Sequence, residues 1–179
     1  MNISPLTKQT SINLHGVALK IYDCGILITG HSGVGKSDLA LNLIDKGHKL
    51  IADDSVTITK HNNKLKLNSL KENFGFMHIN GIGFINIANL YSKHNLIKNA
   101  PLNFIVELSQ KITPDYSFSQ KMSYENILGI NISKFILTIN NKRPLPLLIE
   151  VLTKNYIQLI KNGYNSNEEF IKNHQSKLL

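Results

Sequence analysis

Of the 20 lysine and arginine positions in this 179-residue chain, only Arg143 is arginine. Nucleic-acid sites lean heavily on arginine. The lysines are scattered rather than clustered, so the formal charge of +8 is read as compositional bias, and no nucleic-acid partner is expected. Cys24 is the single cysteine, which excludes an internal disulfide and suits a cytoplasmic setting. No apolar run approaches the ~18 residues a membrane-spanning helix needs, so no membrane association is expected. Residues 1–11 are polar and lack the apolar core of a secretory signal. Internal repeats and low-complexity tracts are absent.

What is present is ordinary for a globular protein: 42% hydrophobic and 18% charged residues. The length suggests one domain across residues 1–179, with residues 1–10 a loose lead-in and 164–179 a C-terminal tail.

One stretch dominates the reading. Gly30-His31-Ser32-Gly33-Val34-Gly35-Lys36-Ser37 fits the pattern G-x-x-x-x-G-K-[ST]. The apolar run Ile26-Leu27-Ile28-Thr29 leads into it, and an amphipathic segment from Ser37 to Lys46 follows. Strand, glycine-rich loop and helix in that order form a phosphate-binding loop. Its backbone N–H groups make an anion nest and the helix adds its positive end. Lys36 reaches the β- and γ-phosphates, and the Ser37 hydroxyl ligates Mg²⁺.

The remaining elements follow from periodicity. Val17 to Tyr22 and Lys49 to Ala52 read as strands. Val56 to Thr59 and Leu65 to Leu67 read as a hairpin around His61-Asn62-Asn63. Gly75 to Gly83 is a glycine-punctuated apolar stretch, and Ile85 to Leu90 reads as the start of a helix. Phe104 to Leu108 and Phe135 to Ile139 are core strands, separated by a polar loop over 110–126 whose length suggests a lid. Pro144 to Asn162 is the longest helix, with an apolar stripe through Leu147, Leu148, Val151, Leu152, Tyr156, Leu159 and Ile160. Together these predict an α/β fold with helices packed on a mixed sheet.

Asp53 and Asp54 follow the strand after the loop helix. A strand end beside the phosphate loop points a carboxylate at the γ-phosphate and Mg²⁺. Adjacent strand residues face opposite sides, so the two share one role only if the strand breaks there.

Three segments now carry a specific resemblance. Leu14-His15-Gly16-Val17, then Gly25 through Ser37, then Lys46-Gly47-His48-Lys49-Leu50-Ile51-Ala52-Asp53-Asp54, resemble the catalytic domain of HPr kinase/phosphorylase. The likeness continues through Ile79-Asn80-Gly81-Ile82-Gly83 and Leu148-Ile149-Glu150-Val151. The length is similar to that of members consisting of the catalytic domain only, without the N-terminal domain. The resemblance implies the P-loop fold shared with ATP-dependent phosphoenolpyruvate carboxykinase. It also implies a bacterial cytoplasmic enzyme that phosphorylates a serine of HPr, the small phosphocarrier of the sugar phosphotransferase system. ATP and Mg²⁺ are the implied cofactors; in reverse, inorganic phosphate releases pyrophosphate. A homo-oligomer, commonly a hexamer, is implied as well. Lys36 matches the phosphate-contacting lysine, Ser37 the Mg²⁺ ligand and Asp53 the general base; Asp54 is the second metal candidate. His15 matches a histidine placed near that general base.

Two positions depart from the family pattern Glu-x-Arg-Gly-apolar-Gly, which here reads His78-Ile79-Asn80-Gly81-Ile82-Gly83. Gly81 and Gly83 keep the turn. His78 replaces a carboxylate metal ligand, and imidazole is a poor substitute around Mg²⁺, which prefers oxygen. Asn80 replaces an arginine. In the loop after Phe104–Leu108 the family carries another arginine, where Lys111 keeps the charge without the bidentate fork. Arg143 is the only arginine contact available. Three readings stay open: an HPr serine kinase/phosphorylase, a nucleotide- or phosphate-sensing regulator without efficient transfer, and a kinase acting on another hydroxyl.

Overall fold

The computed structural model describes residues 10–110, 122–139 and 144–175, with the side chains of Met122 and Gln175 left out. Lys111, Arg143, the lead-in through residue 9 and most of the proposed lid lie outside the described residues.

The chain opens with strands β1 (Ser11–His15), β2 (Val17–Ile21) and β3 (Cys24–Gly30). Helix α1 (Lys36–Asp45) precedes β4 (Lys49–Ala52) and the hairpin β5 (Ser55–His61) and β6 (Lys64–Ser69). A second hairpin, β7 (Phe76–Ile79) and β8 (Gly83–Asn86), runs into a single helical turn, α2 (Ile87–Leu90). Strands β9 (Asn99–Ser109), β10 (Met122–Ile127) and β11 (Ile130–Thr138) follow. Helices α3 (Leu145–Asn162) and α4 (Ser166–Gln175) come last.

The main sheet is mixed. Its path is β1-β5-β6-β9-β3-β2-β4, with β11 on the other side of β9 and β10 beyond it. β9 is the hub. Residues Asn99 to Pro101 pair antiparallel with β6, whereas Leu102 to Leu108 pair parallel with β3. Phe104 to Ser109 also pair parallel with β11.

Alternation sorts the side chains of β3 and β9 onto two cores. Ile26, Ile28, Phe104, Val106 and Leu108 face α1 and α3. Leu27 and Ile105 face a second cluster built with Val56 and Ile58 of β5 and Leu65 and Leu67 of β6, joined by Leu102, which the register shift between β3 and β9 puts out of step with Phe104. Both faces of the central strands are therefore covered, which is why they read as continuous apolar runs rather than alternating ones.

Several expectations are corrected. Ser11–His15, which the sequence left unassigned, is an edge strand registered against β5, with His15 opposite Ser55. Residues Gly83 to Asn86 are a strand, and only Ile87–Leu90 is helical, because β7 supplies a partner for β8. The polar loop ends early: residues 122–127 pair with β11. In α3 the buried set is Ile149, Leu152, Thr153 and Tyr156, and the expected stripe residues Leu147, Val151 and Ile160 are exposed. Gly163 stops α3 in the left-handed conformation, its N–H bonded to the Leu159 carbonyl. Among the described residues, no helix is long and apolar enough to cross a membrane.

Candidate active site

The phosphate loop leaves β3 beside β9. Gly30 has φ 138°, and a Cβ there would meet the Leu108 carbonyl oxygen at 2.7 Å, so the tight exit from the strand demands glycine. Gly35 caps α1 with φ 90°. Val34 points inward and is buried in the helix-side core. Its N–H bonds back to the His31 carbonyl. Ser32, Gly33, Gly35, Lys36 and Ser37 face a cleft of about 740 Å³; Gly30, His31 and Val34 shape the loop without lining it.

Lys36 is buried, and its Nζ donates to the carbonyls of Gly30 and His31, both at 3.0 Å. Those carbonyls are weak partners for a buried ammonium compared with phosphate oxygens, to which charge-assisted bonds form.

Across the cleft, β4 ends at Ala52 and the chain breaks direction. Asp54 adopts φ 66°, and Ser55 N–H bonds the Asp53 carbonyl at 2.8 Å. The break separates the two aspartates. Asp53 is buried, with Oδ1 accepting from the Ser37 hydroxyl at 2.9 Å and Oδ2 accepting from the His78 backbone N–H at 3.0 Å. Burial pushes its carboxyl above the usual range, and the bonds from His78 and Ser37 only partly oppose this. Asp54 is exposed and faces His15, whose Nδ1 lies 3.0 Å from both its Oδ1 and its carbonyl oxygen. His15 therefore bonds Asp54, the neighbour of Asp53 in the same cleft, an arrangement that follows from the left-handed turn at Asp54.

His78 and Asn80 line the cleft from the β7–β8 hairpin; Gly81, φ 79°, and Gly83, φ 97°, form the turn behind them. The sequence reading missed Asp38, Glu72, Asn73, Phe76 and Phe84, which line the same space. A signal existed for Phe76: Phe76-Met77-His78-Ile79 alternates, and strand alternation places Phe76 and His78 on one face.

The donor set suits a hard cation with phosphates. The Ser37 hydroxyl and the carboxylates of Asp54 and Glu72 offer oxygen, and Mg²⁺ is usually held by one or two carboxylates together with substrate phosphates. Among the described residues, no three His, Cys, Asp or Glu side chains cluster as a self-sufficient metal site.

Residues 6–174 match the family described as HPr Serine kinase C-terminal domain. HPr kinase/phosphorylase of Neisseria meningitidis serogroup C is 33% identical over 169 residues, covering 92% of this chain and 52% of the relative. The protein of that name from Nitrosomonas europaea is 32% identical over 173 residues, covering 94% and 53%. The chain thus spans about half the length of the curated relatives it matches. Among solved structures, the Hpr(Ser) kinase/phosphatase from Coxiella burnetii superposes with a TM-score of 0.77 at 33% identity, covering 84% of this chain and 99% of that one. The P-loop kinase fold that the resemblance implies is the fold of that neighbour. The matched residues run from before β1 into α4 and take in the loop, both aspartates and the hairpin, and on that extent the chain belongs to the HPr serine kinase C-terminal domain family.

Proposed function

We propose that this chain is an ATP- and Mg²⁺-dependent serine kinase/phosphorylase that acts on the phosphocarrier HPr, in the cytoplasm, and regulates carbohydrate metabolism through the phosphotransferase system. The observation that carries this reading is the Asp53 carboxylate. It is buried, bonded to Ser37 of the phosphate loop on one side and to the β7–β8 hairpin on the other, and its pKa is raised.

In the kinase direction the ionised carboxylate accepts the serine proton as the serine oxygen attacks the γ-phosphorus. In the reverse direction the protonated carboxyl returns that proton to the departing serine oxygen, while inorganic phosphate takes the phosphoryl group and pyrophosphate forms. A carboxyl with a raised pKa suits both roles near neutral pH. The loop N–H groups cradle the phosphates, and Lys36 exchanges the Gly30 and His31 carbonyls for phosphate oxygens. Ser37 and Asp54 would be the protein ligands of Mg²⁺, which would supply charge neutralisation at the phosphates. His15 orients Asp54. Lys111 and Arg143 are further cationic contacts in this proposal, and the assembly is a homo-oligomer, a hexamer by analogy with the family.

The test uses Mg²⁺, ATP labelled in the γ-phosphate, and HPr from the same organism. Label on an HPr serine that disappears with Asp53→Asn supports the reading. Nucleotide-dependent stabilisation with no label on HPr overturns it in favour of sensing without transfer.

A further inference from the structure

The β7–β8 hairpin has two unlike faces. Met77 and Ile79 are buried and, with Ile85, join the helix-side core. Phe76, His78 and Phe84 lie on the other face: His78 and Phe84 oppose each other directly across the ladder, and Phe76 is two residues along from His78. That face lines the cleft. Phe84 is 79% exposed, Phe76 45%, and Ile82 at the tip 72%. Single exposed apolar side chains are normal, but three large ones on one short hairpin beside a phosphate site make a patch that marks an interaction surface. The patch is also braced. The His78 ring meets Phe84 edge-on at 5.1 Å between centroids and 64° between planes, a favourable aromatic arrangement. A carboxylate at position 78 would provide no such brace.

Asp53 tells which occupant the patch serves. One carboxylate oxygen turns to Ser37 and the phosphate loop, and the other takes the His78 N–H. The carboxylate therefore stands between loop and hairpin. The phosphoryl donor fills the loop side. Transfer needs attacking and leaving oxygens roughly in line, so an acceptor hydroxyl within reach of Asp53 enters from the hairpin side, over Phe76 and Phe84.

We propose that the outer face of the β7–β8 hairpin, Phe76 and Phe84 with Ile82 at its tip, docks the protein acceptor and selects a serine flanked by apolar side chains. This rests on the kinase reading above and adds to it the chemistry of the acceptor surface. The competing occupant is the nucleobase, which would stack on the same rings.

The experiment compares wild type, Phe84→Ala, Phe84→Leu and Ile82→Ser, with HPr as acceptor. KM for HPr, KM for ATP and kcat are measured separately, and HPr binding is titrated calorimetrically with a non-hydrolysable ATP analogue present. Because Phe84 and Ile82 are exposed, the variants should melt with the wild type. Phe84→Ala should raise KM and Kd for HPr on the order of tenfold to a hundredfold, the size expected when a phenylalanine loses its burial against a partner. KM for ATP should stay unchanged, Phe84→Leu should recover most of the affinity, and Ile82→Ser should lose affinity in the same sense. A rise in KM for ATP with HPr binding intact would assign the rings to the base and overturn the proposal, as would no change in either. A wild type that binds ATP yet never labels HPr would instead remove the kinase reading on which the proposal rests.

Discussion

Replacing Asp53 with asparagine removes a charge and keeps the shape of the side chain. The local bonding can be followed atom by atom. The asparagine oxygen can still accept the His78 N–H, which now lies 3.0 Å from Oδ2. Its amide then faces Ser37, whose hydroxyl, now donating at 2.9 Å, rotates to accept instead. No buried polar group is orphaned, and the burial that opposes ionisation of Asp53 no longer acts. The variant should therefore be more stable than the wild type at neutral pH, by about 1 kcal/mol, the usual gain when a functional residue is relaxed. For a domain of this length that is roughly 2–4 °C in Tm. The pH dependence has a definite sign. The folded pKa of Asp53 is raised, so the stability it contributes to the wild type is complete below the unfolded pKa and is lost as pH rises through the folded pKa. The gap between variant and wild type should open on going from pH 4 to pH 7.5. Calorimetric melts without nucleotide or divalent cation measure it. In parallel, phosphoryl transfer should fall on the order of 10²–10⁴-fold, the usual worth of a positioned base. A variant less stable than wild type at pH 7.5, or a gap that ignores pH, would refute the view of Asp53 as a strained buried carboxylate.

Two further outcomes follow from named contacts. Glu150 of α3 is held by Lys46 at 2.6 Å and His48 at 3.1 Å, and the Lys46 bond above all keeps its carboxyl below the usual range. Glu150→Gln should cost about 1 kcal/mol at pH 7, and because a depressed carboxylate loses its contribution as pH falls through its folded pKa, the difference from wild type should shrink in acid; a pH series of urea melts reads it. Restoring the family charges with His78→Glu and Asn80→Arg should raise kcat at saturating HPr on the order of tenfold or more, measured by steady-state kinetics; an unchanged kcat would show that those positions do not limit transfer.

Much of the architecture was legible. The glycine spacing from Gly30 to Ser37 needs no distant partner to be understood, because it specifies a local backbone shape. The uninterrupted apolar runs of β3 and β9 likewise announce strands covered on both sides. Three features were hidden because they depend on pairing across the chain. Ser11–His15 is short, with only Ile12 and Leu14 apolar, and is recognised as a strand once it pairs with β5 and those two side chains meet the second core. Gly83 to Asn86 has the composition of a helix start and is extended only because β7 lies beside it. Residues 122–127 read as loop until β11 pairs with them. In the site, the loop and the Asp53-Asp54 pair could be located from residue types and spacing, while the choice of Asp53 as base came from the family resemblance. The choice of partner for His15 could not, since it turns on the left-handed backbone at Asp54. Phe84 was hidden among apolar residues that look like core until the hairpin shows which of them face outward.

Strand β9 carries ladder bonds to β6 over its first residues and to β3 and β11 over the rest. One unbroken length of backbone is therefore common property of the antiparallel corner and the parallel strands beside the cleft, and fraying of either disturbs the other. The pair should open as one cooperative unit. Gly30, the last residue of β3, is clamped to this unit by its register with Leu108. Local opening beside the cleft is therefore expected beyond that clamp, in the few residues between Gly30 and α1.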